Sequence, residues 1–408
     1  MENELDLTLT GMAYGGESLG RDQNGRMVFV PFALPGERVR VRVRDEHKRW
    51  ARAELVEVLQ PAPGRIQARC PHFGQCGGCH YQHLAYSDQL QVKRGIVIEQ
   101  LERIGGLQSP PVAEMIAAPS AWNYRNQMQF HIGPEGKLGL VHQDGSKVLE
   151  LRECHLPLPA VDELWHLIRV EEKLDIERVS VRADTQDETM IIFRAQESPS
   201  QEVEVLAGTS VAWSTPASWQ VLAGEPALEM RVLGEMLRVS PDAFFQVNTA
   251  LTSELVRQVL QAARIAPGQL AFDLYAGVGL FSLFLAKNGA RVMAVESSPA
   301  ACADFEVNLD PYPDIELYES QVDIALPAIS AAPDLVIVDP PRAGLGREVV
   351  EMILEKHPAR LVYVSCDPAT LARDSRLLAG AGMLLEQVLP IDLFPQTYHI
   401  ETISTWSA

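Results

Sequence analysis

The sequence lacks a long apolar run and an excess of positive charge. It has no stretch of about eighteen consecutive apolar residues, and its first residues show no basic start followed by an apolar core. We therefore expect a cytoplasmic chain that neither spans a membrane nor is secreted. The formal net charge of -19 at pH 7 excludes a general nucleic-acid-coating protein, because sequence-independent binding needs Lys and Arg to neutralise phosphates. Any nucleic-acid surface must be local.

Cysteine is scarce, and its distribution is a poor disulfide framework. Six cysteines occur in 408 residues, three of them close together and the others scattered. In a reducing compartment, metal binding or catalysis is the better interpretation of the close set. The run of Cys70, Cys76 and Cys79, with the distant Cys154 as a fourth ligand, suits an iron–sulfur cluster completed from elsewhere in the chain. Zinc bound with nearby histidines is the alternative.

Changes in pattern divide the chain into three predicted domains. Residues 1–60 contain short strands and turn glycines, which indicate a small β-barrel of a kind that often binds nucleic acids. Residues 65–230 follow a Pro-Gly linker and contain the cysteine run and antiparallel strands, which indicate a central α+β domain. Residues 231–408 alternate apolar strands with helices and predict a mainly parallel, doubly wound α/β sheet. The predicted helices cover Leu84–Ile104, the neighbourhood of Val161–Val170, Thr249–Ala263 and Leu280–Asn288.

A local basic surface is predicted within the barrel. Arginine alternates with valine in this segment, and a period of two indicates a half-buried strand with every arginine on the exposed face. A charged edge strand that prevents aggregation is the alternative interpretation. The arginines of this row are Arg38, Arg40, Arg42 and Arg44.

A glycine turn in the last domain predicts a nucleotide-like ligand. Gly277 and Gly279 follow an apolar strand, where open α/β sheets bind nucleotides. Glu296 ends the next strand, 23 residues after Asp273, and is placed to accept hydrogen bonds from ribose hydroxyls. A nicotinamide dinucleotide is second choice, because Ser282 replaces the third glycine of its fingerprint. Asp273 suits a cationic amino-acid group, and S-adenosylmethionine has one.

A thiol and two carboxylates are predicted at the same edge of that sheet. Asp339 and Cys366 end two further apolar strands, and parallel strands present their carboxyl ends on one edge. A thiolate that adds to carbon 6 of a pyrimidine makes carbon 5 nucleophilic enough to take a methyl group. A base must then remove the carbon 5 proton, and Glu401, on a terminal strand, is a candidate. Cys302 is interpreted as a buried apolar residue.

Five motifs resemble those of the RNA uracil-5-methyltransferase family. The resemblance extends to the front of the chain, where a TRAM-like barrel and the cysteine run are similar to the branch that acts on 23S ribosomal RNA. It implies a Rossmann-like class I methyltransferase domain, an N-terminal TRAM or OB-like barrel and a central iron–sulfur domain. The motifs are Phe244–Asn248, Asp273–Gly279, Asp339–Arg342, Ser365–Pro368 and Phe394–Glu401.

The resemblance also implies roles for single residues. Cys366 corresponds to the nucleophile and Glu401 to the base. The implied ligands of a 4Fe-4S cluster are Cys70, Cys76, Cys79 and Cys154. Contacts to S-adenosylmethionine or the target base are implied for Gln246, Tyr275, Glu296, Asp323 and Asp339.

The family implies that the target uridine leaves its stack, because carbons 5 and 6 are inaccessible in folded RNA. This favours RNA contact for the arginine row. We expect 23S ribosomal RNA as the substrate, with tRNA as the alternative, and a monomeric enzyme. Two other functions stay open: an RNA cytosine-5-methyltransferase and a non-catalytic RNA-binding iron–sulfur protein.

The arginine row gives the first testable prediction. The double variant Arg40→Glu/Arg42→Glu should bind RNA more weakly, with a reduced dependence on salt, because phosphate contacts release counterions. Its affinity for S-adenosylmethionine should not change. Filter binding over a range of salt concentrations measures the first effect and calorimetry the second. Unchanged RNA affinity in the variant would contradict the assignment.

Overall fold

The computed structural model describes residues 4–171, 175–198 and 208–408. The first unit is a closed barrel with the strand order β1-β2-β3-β5-β4. Its interior is filled by alternate apolar side chains such as Val28, Val39 and Val41, because successive strand residues point to opposite faces. The predicted small barrel is confirmed. Its strands are β1 (Glu4–Met12), β2 (Glu17–Arg21), β3 (Met27–Pro31), β4 (Arg38–Glu46) and β5 (Trp50–Gln60).

The cysteine segment and a long helix follow the barrel. The segment is irregular and is joined to the central sheet by an isolated bridge between Cys76 and His142. Helix α1 spans Tyr86–Arg103 and confirms the helix predicted there, with an N-terminus two residues later. An apolar cluster of Met12, Leu34, Tyr81 and Leu84 joins the barrel to this region.

The central region is a seven-stranded sheet with the order β12-β11-β10-β9-β6-β7-β8. The segments predicted as antiparallel strands pair in that way, whereas β10 and β11 are parallel. One short helix packs on β9 and is shorter than predicted, ending at Trp165. The elements are β6 (Gln127–Ile132), β7 (Leu138–Val141), β8 (Val148–Glu150), α2 (Pro159–Trp165), β9 (Ile176–Ala183), β10 (Thr189–Ala195), β11 (Thr209–Ser214) and β12 (Trp219–Ala223).

A hairpin leads from the central sheet into the C-terminal domain. The hairpin consists of β13 (Leu228–Val232) and β14 (Glu235–Val239), and its strands pair only with each other. The domain then alternates helices and strands as predicted: α3 (Thr249–Ala263), β15 (Leu270–Leu274), α4 (Leu280–Lys287), β16 (Arg291–Glu296), α5 (Pro299–Leu309), β17 (Ile315–Glu319), α6 (Val322–Ala328), β18 (Leu335–Val338), α7 (Gly346–Glu355), β19 (Arg360–Ser365), α8 (Pro368–Gly380), β20 (Leu384–Ile391) and β21 (Glu401–Ser407).

The C-terminal sheet has the order β17-β16-β15-β18-β19-β21-β20. Strands β15 to β19 are parallel, and β21 runs antiparallel between β19 and β20. From β15 the sheet extends to one side through β16 and β17 and to the other side through β18 and β19. Ligands bind at such a switch point in open α/β sheets. The mixed α/β fold predicted for this domain is confirmed.

Short polar side chains start the helices that carry the site. Asn248 caps α3, Ser298 caps α5 and Asp367 caps α8, each by accepting a hydrogen bond from a backbone N–H of the first turn. Among the described residues, no helix is both long and apolar enough to cross a lipid bilayer.

Helix α1 and the segment after it lie against the C-terminal domain. The helix packs on α8, and the backbone of residues 111–116 pairs with β20, covering the edge of the sheet. Lys93 Nζ donates a 2.6 Å hydrogen bond to Asp392 and a 3.0 Å bond to the Phe394 carbonyl. Both charged side chains of this pair are fully buried.

The buried pair gives a stability prediction. Lys93→Met should lower the free energy of unfolding by about 3–5 kcal/mol, because it leaves the Asp392 carboxylate buried without its partner. Arg103→Met is the matched control on the same helix: its pair with Glu99 is 3.7 Å long and its side chain is 66% exposed, so the loss should be about 1 kcal/mol or less. Urea denaturation measures both. Equal losses would contradict the role of the pair.

Candidate active site and cysteine cavity

The loop after β15 forms the predicted glycine turn. Tyr275, Gly277 and Gly279 have positive φ angles of 66°, 56° and 89°. At Gly279 an added Cβ would lie 2.5 Å from a leucine side chain, so a larger residue would displace α5. Glu296 Oε2 accepts a 2.9 Å hydrogen bond from the Gly277 amide. The carboxylate therefore fixes the turn from the end of the neighbouring strand.

An open cleft of about 620 Å³ lies beside this turn. Three of the predicted contact residues line it: Tyr275, Glu296 and Asp323. Burial, then the nearby Asp323, raise the pKa of Tyr275 to about 12. The cleft is bounded by the ends of β15 and β16, the loop after β17 and the first residues of α7. This position matches the predicted cofactor site.

Sequence reasoning missed one side of the cleft. Residues 345–349, which begin α7, line it opposite the glycine turn. They follow the Asp339–Arg342 motif directly, so their proximity to that motif is the only sequence signal. Gln246 is not a lining residue. It is 7% exposed, and its carbonyl accepts a hydrogen bond from the Asn126 side chain.

A buried acidic pair lies beneath the turn. Asp273 has no exposed area, and Ser282 Oγ donates a 2.6 Å hydrogen bond to its Oδ2. Burial raises the pKa of Asp273 to about 7 despite this bond. The pKa of Asp339 is also raised, first by burial and then by Asp273. Among the described residues, Asp273 Oδ1 has no hydrogen-bond partner, and no cation lowers the pKa of either carboxyl.

Strand register brings Cys366 and Glu401 together. Ser365 on β19 is paired with Thr402 on β21, and the Thr402 hydroxyl donates to the Ser365 carbonyl at 3.0 Å. Cys366 and Glu401 are the next residues at this end of the two strands. The sequence predicted Glu401 on a terminal strand, and the terminal strand of a sheet is often a solvated edge. Glu401 instead lies on an inner strand and is 3% exposed, because β21 is inserted between β19 and β20.

The surroundings disfavour the charged forms of the thiol and the carboxyl. Burial and the neighbouring Asp339 raise the pKa of Glu401 well above its usual range. Burial, then Glu401 and Asp339, raise the pKa of Cys366 to about 12, although Arg342 lowers it in part. The predicted thiol and base therefore occupy one anionic environment at the carboxyl edge of the sheet.

An exposed aromatic ring lies next to the predicted Gln246. Phe244 is 68% exposed, whereas Phe245 is buried. The loop that holds them ends at Asn248, whose side chain donates a 3.0 Å hydrogen bond to the Leu393 carbonyl before β21. A free ring in such a loop can stack on an unpaired base.

The arginine row on β4 faces outward as predicted, but each arginine pairs with a carboxylate of the barrel. Residues 4–60 contain nine Arg and Lys and nine Asp and Glu, so the barrel has no net positive charge. The prediction considered only the alternating segment itself, whereas the carboxylates that pair with its arginines lie on β1 and β5. The pairs are Arg38 and Arg40 with Asp6, Arg40 with Glu57, Arg42 with Glu4 and Arg44 with Glu54.

All four predicted cluster cysteines line one small cavity. Pairing between residues 123–125 and 155–158 brings Cys154 to the cysteine segment. His72 accepts a hydrogen bond from the Arg152 amide and does not line the cavity. Within the described ranges, no three His, Cys, Asp or Glu side chains are arranged to hold a metal ion. The cavity-lining cysteines are Cys70, Cys76, Cys79 and Cys154.

The cavity fits an anionic group held by thiolates. Arg125 lies close enough to Cys79 and Cys154 to lower the pKa of their thiols in part. Among the described residues, its buried Nε atom has no hydrogen-bond partner. Burial raises the pKa of Cys154 to about 12. A bound positive ion or cluster would instead lower the pKa of these thiols, because metal-bound thiols are deprotonated. The four thiols thus share a cavity with one buried guanidinium, and their binding of a cluster stays a prediction.

The thiol environment gives a prediction for pH dependence. Alkylation of Cys366 by iodoacetamide should become about tenfold faster per pH unit between pH 7 and pH 9, because thiolate is the reacting form and its pKa lies higher. Asp339→Asn removes a negative neighbour, lowers the pKa and should speed alkylation at pH 8.5. Asp187→Asn, in an exposed turn of the central sheet, is the control. Mass spectrometry of the Cys366 peptide measures the rate, and no acceleration in Asp339→Asn would contradict the coupling.

Two family models match the chain. A TRAM domain matches residues 3–56, and the tRNA (uracil-5-)-methyltransferase model matches residues 318–405. The first match covers the barrel. The second covers the chain from the end of β17 through Asp339 and Cys366 to Glu401.

Similar proteins extend over almost the whole chain. An uncharacterized RNA methyltransferase of Aquifex aeolicus is 34% identical over 421 residues and covers 99% of this chain and 98% of its own. One from Thermotoga maritima is 32% identical, with 97% of each chain covered.

In fold, the chain resembles the Pyrococcus abyssi tRNA (uracil-54, C5)-methyltransferase, solved in complex with S-adenosyl-L-homocysteine. The TM-score is 0.75 at 24% identity, with 98% of this chain and 100% of that chain covered. Since relatives above 30% identity match nearly all of its length, the chain belongs to the RNA uracil-5-methyltransferase family and is an RNA methyltransferase.

Proposed function

We propose that the protein uses S-adenosylmethionine to form 5-methyluridine in structured RNA, with Cys366 as the nucleophile and Glu401 as the base. The observation that carries the proposal is the register of β19 and β21, which makes these two residues neighbours beside Asp339. A thiol next to a buried carboxyl suits chemistry in which a nucleophile adds and a proton is later removed. Cytosine-5 methylation needs a similar thiol, but the family models favour uracil.

The charges of the pocket favour S-adenosylmethionine over a dinucleotide. Asp273 is buried and Asp339 is half-buried, the pKa values of both are raised, and neither has a cationic partner among the described residues. A pyrophosphate would add negative charge to this environment, whereas a sulfonium and an ammonium group would balance it. Tyr275, Glu296 and Asp323 line the adjoining cleft and would hold the adenosine part. Gly277 and Gly279 let the backbone approach the ligand closely.

Two of the chain's own residues then react in turn. Cys366 loses its proton to solvent water and adds to carbon 6 of the target uracil, which makes carbon 5 an enolate-type nucleophile. S-Adenosylmethionine supplies a methyl group on a positively charged sulfur. Carbon 5 takes this methyl group, and ionised Glu401 then removes the carbon 5 proton so that the Cys366 thiolate leaves and the ring is restored. Gln246 stays a predicted contact to the cofactor or the target base.

Burial of the thiol and base implies that the target base must be extruded from RNA. The TRAM match supports RNA binding by the barrel. The arginine row and the exposed ring of Phe244 supply the two interactions that single-stranded RNA needs, phosphate contact and stacking. We propose 23S ribosomal RNA as the substrate, supported by the combination of barrel and cysteine segment. A tRNA is the second candidate, favoured by the similar fold of a tRNA (uracil-54, C5)-methyltransferase.

We also propose that Cys70, Cys76, Cys79 and Cys154 hold a 4Fe-4S cluster. Their shared cavity and the unpartnered Arg125 Nε support an anionic group with four thiolate ligands. Methyl transfer needs no electrons, so the cluster would act as a structural link between the cysteine segment and the central sheet.

The function is tested with labelled S-adenosylmethionine and transcripts of 23S ribosomal RNA and tRNA. The unaltered protein should form 5-methyluridine, and mapping should identify one of the two RNAs. Cys366→Ala should reduce the rate at least about a thousandfold. Glu401→Gln should trap a covalent methylated RNA adduct, because the thiolate cannot leave before proton removal.

Cys302→Ser is the matched control, since Cys302 is buried in α5, and it should retain activity. Product in Cys366→Ala, or 5-methylcytidine in place of 5-methyluridine, would contradict the proposal.

The cluster is tested on protein purified without oxygen. It should be brown and contain about four iron atoms and four sulfides per chain, and Cys154→Ser should lose most of both and melt at a lower temperature. Cys302→Ser should retain them. A colourless protein that contains zinc and no iron would overturn the assignment.

A further inference from the structure

The first turn of the barrel lies between the barrel and the catalytic domain. It connects β1 and β2 through Ala13–Gly16, closed by a 2.9 Å hydrogen bond from the Ala13 amide to the Glu17 carbonyl. Gly16 has φ 88°, and an added Cβ there would lie 3.1 Å from His80. The turn is therefore seated directly against the cysteine segment. No sequence motif drew attention to it.

Tyr14 in this turn contacts the residue next to the proposed nucleophile. Its hydroxyl donates a 3.0 Å hydrogen bond to Asp367 Oδ2, across 353 positions of sequence. The other oxygen, Oδ1, accepts 2.9 Å bonds from the Ala369 and Thr370 amides at the start of α8. Both oxygens of Asp367 are thus engaged, one by the helix and one by the barrel.

Aromatic contacts fix the Tyr14 ring in this position. Its ring meets Tyr398 edge-on, with centroids 5.7 Å apart, and Tyr398 in turn meets His80 at 4.5 Å. Tyr398 precedes Glu401 by three residues, in the loop between β20 and β21. The same tyrosine of the barrel therefore touches the segment of the nucleophile and the segment of the base.

We propose that Tyr14 is a positioning residue for methyl transfer, which acts through Asp367 on Cys366. This rests on the proposed function. The barrel then has a second role beside RNA contact, because it completes the active-site wall through one hydroxyl. RNA that seats or moves the barrel would be coupled to the geometry of the nucleophile.

The hydrogen bond from Tyr14 to Asp367 matters because of the negative charges around the Cys366 thiol. Cys366 is surrounded by Glu401, Asp339 and Asp367, with Arg342 as the opposing cation. A hydroxyl donor on Asp367 partly neutralises its carboxylate and holds it toward α8. Burial, then Asp367, raises the pKa of Tyr14 above its usual range, so Tyr14 stays a donor. Without it, Asp367 can turn toward Cys366 and oppose thiolate formation.

The test uses the full chain and 5-fluorouridine RNA, in which the fluorine at carbon 5 cannot be removed as a proton, so that the covalent adduct persists. The variant Tyr14→Phe removes only the hydroxyl. With saturating S-adenosylmethionine and RNA, we expect adduct formation in this variant to be about tenfold slower or more, because a hydrogen bond to a charged group is lost. The RNA dissociation constant should stay within about twofold.

Two further variants separate positioning from a general effect on folding. Thr10→Val removes an exposed hydroxyl from the same barrel, where it donates to the Leu19 carbonyl, and should behave as the unaltered protein. Asp367→Asn can still cap α8. If Tyr14 acts through Asp367, the double variant Tyr14→Phe/Asp367→Asn should be no slower than Asp367→Asn alone.

The outcomes distinguish this inference from the function on which it rests. Three results would overturn the role of Tyr14. The first is adduct formation at the unaltered rate in Tyr14→Phe, and the second is a slower rate explained wholly by weaker RNA binding. The third is additive losses of rate in the double variant. Adduct formation by Cys366→Ala, or none by the unaltered protein, would overturn the proposed function and this inference together.

Discussion

The buried ion pair of Lys93 and Asp392 is the interaction on which the geometry of the site depends. Two full charges without solvent contact are tolerated only because they meet at 2.6 Å. Asp392 begins the connection between β20 and β21, so the pair holds the start of the loop that leads to Glu401. The same lysine also binds the Phe394 carbonyl. A helix far upstream in the sequence thereby fixes the approach to the proposed base.

Three upstream segments contribute to holding this loop. The Gln396 carbonyl accepts hydrogen bonds from the His80 and Tyr81 amides. The Gln89 side chain donates to Gln396 Oε1 and accepts from the Gln396 amide. The Tyr124 hydroxyl donates to the Pro395 carbonyl at 3.0 Å. Through these contacts the proposed cluster would affect catalysis without exchanging electrons. Folding of the cysteine segment supplies part of the wall behind the base.

The sequence was informative wherever chemistry follows from local pattern. The rim residues Asp339 and Cys366 could be grouped because parallel strands end on one edge, and the alternation on β4 correctly gave the outward face of its arginines. Long-range pairing could not be derived in this way. The inner position of β21, the carboxylate partners of the arginines and the bond of Tyr14 to Asp367 each depend on segments far apart in the chain.

The carboxylate partners of the arginine row affect how RNA can be held and released. Each arginine already has an internal counterion, for example Glu4 for Arg42 and Asp6 for Arg40. An incoming phosphate must displace a carboxylate, so the net gain per contact is smaller than for a solvated arginine and fewer salt ions are released. The barrel exchanges one anionic partner for another. For the proposed RNA contact, such exchange favours modest affinity and rapid departure of the methylated product.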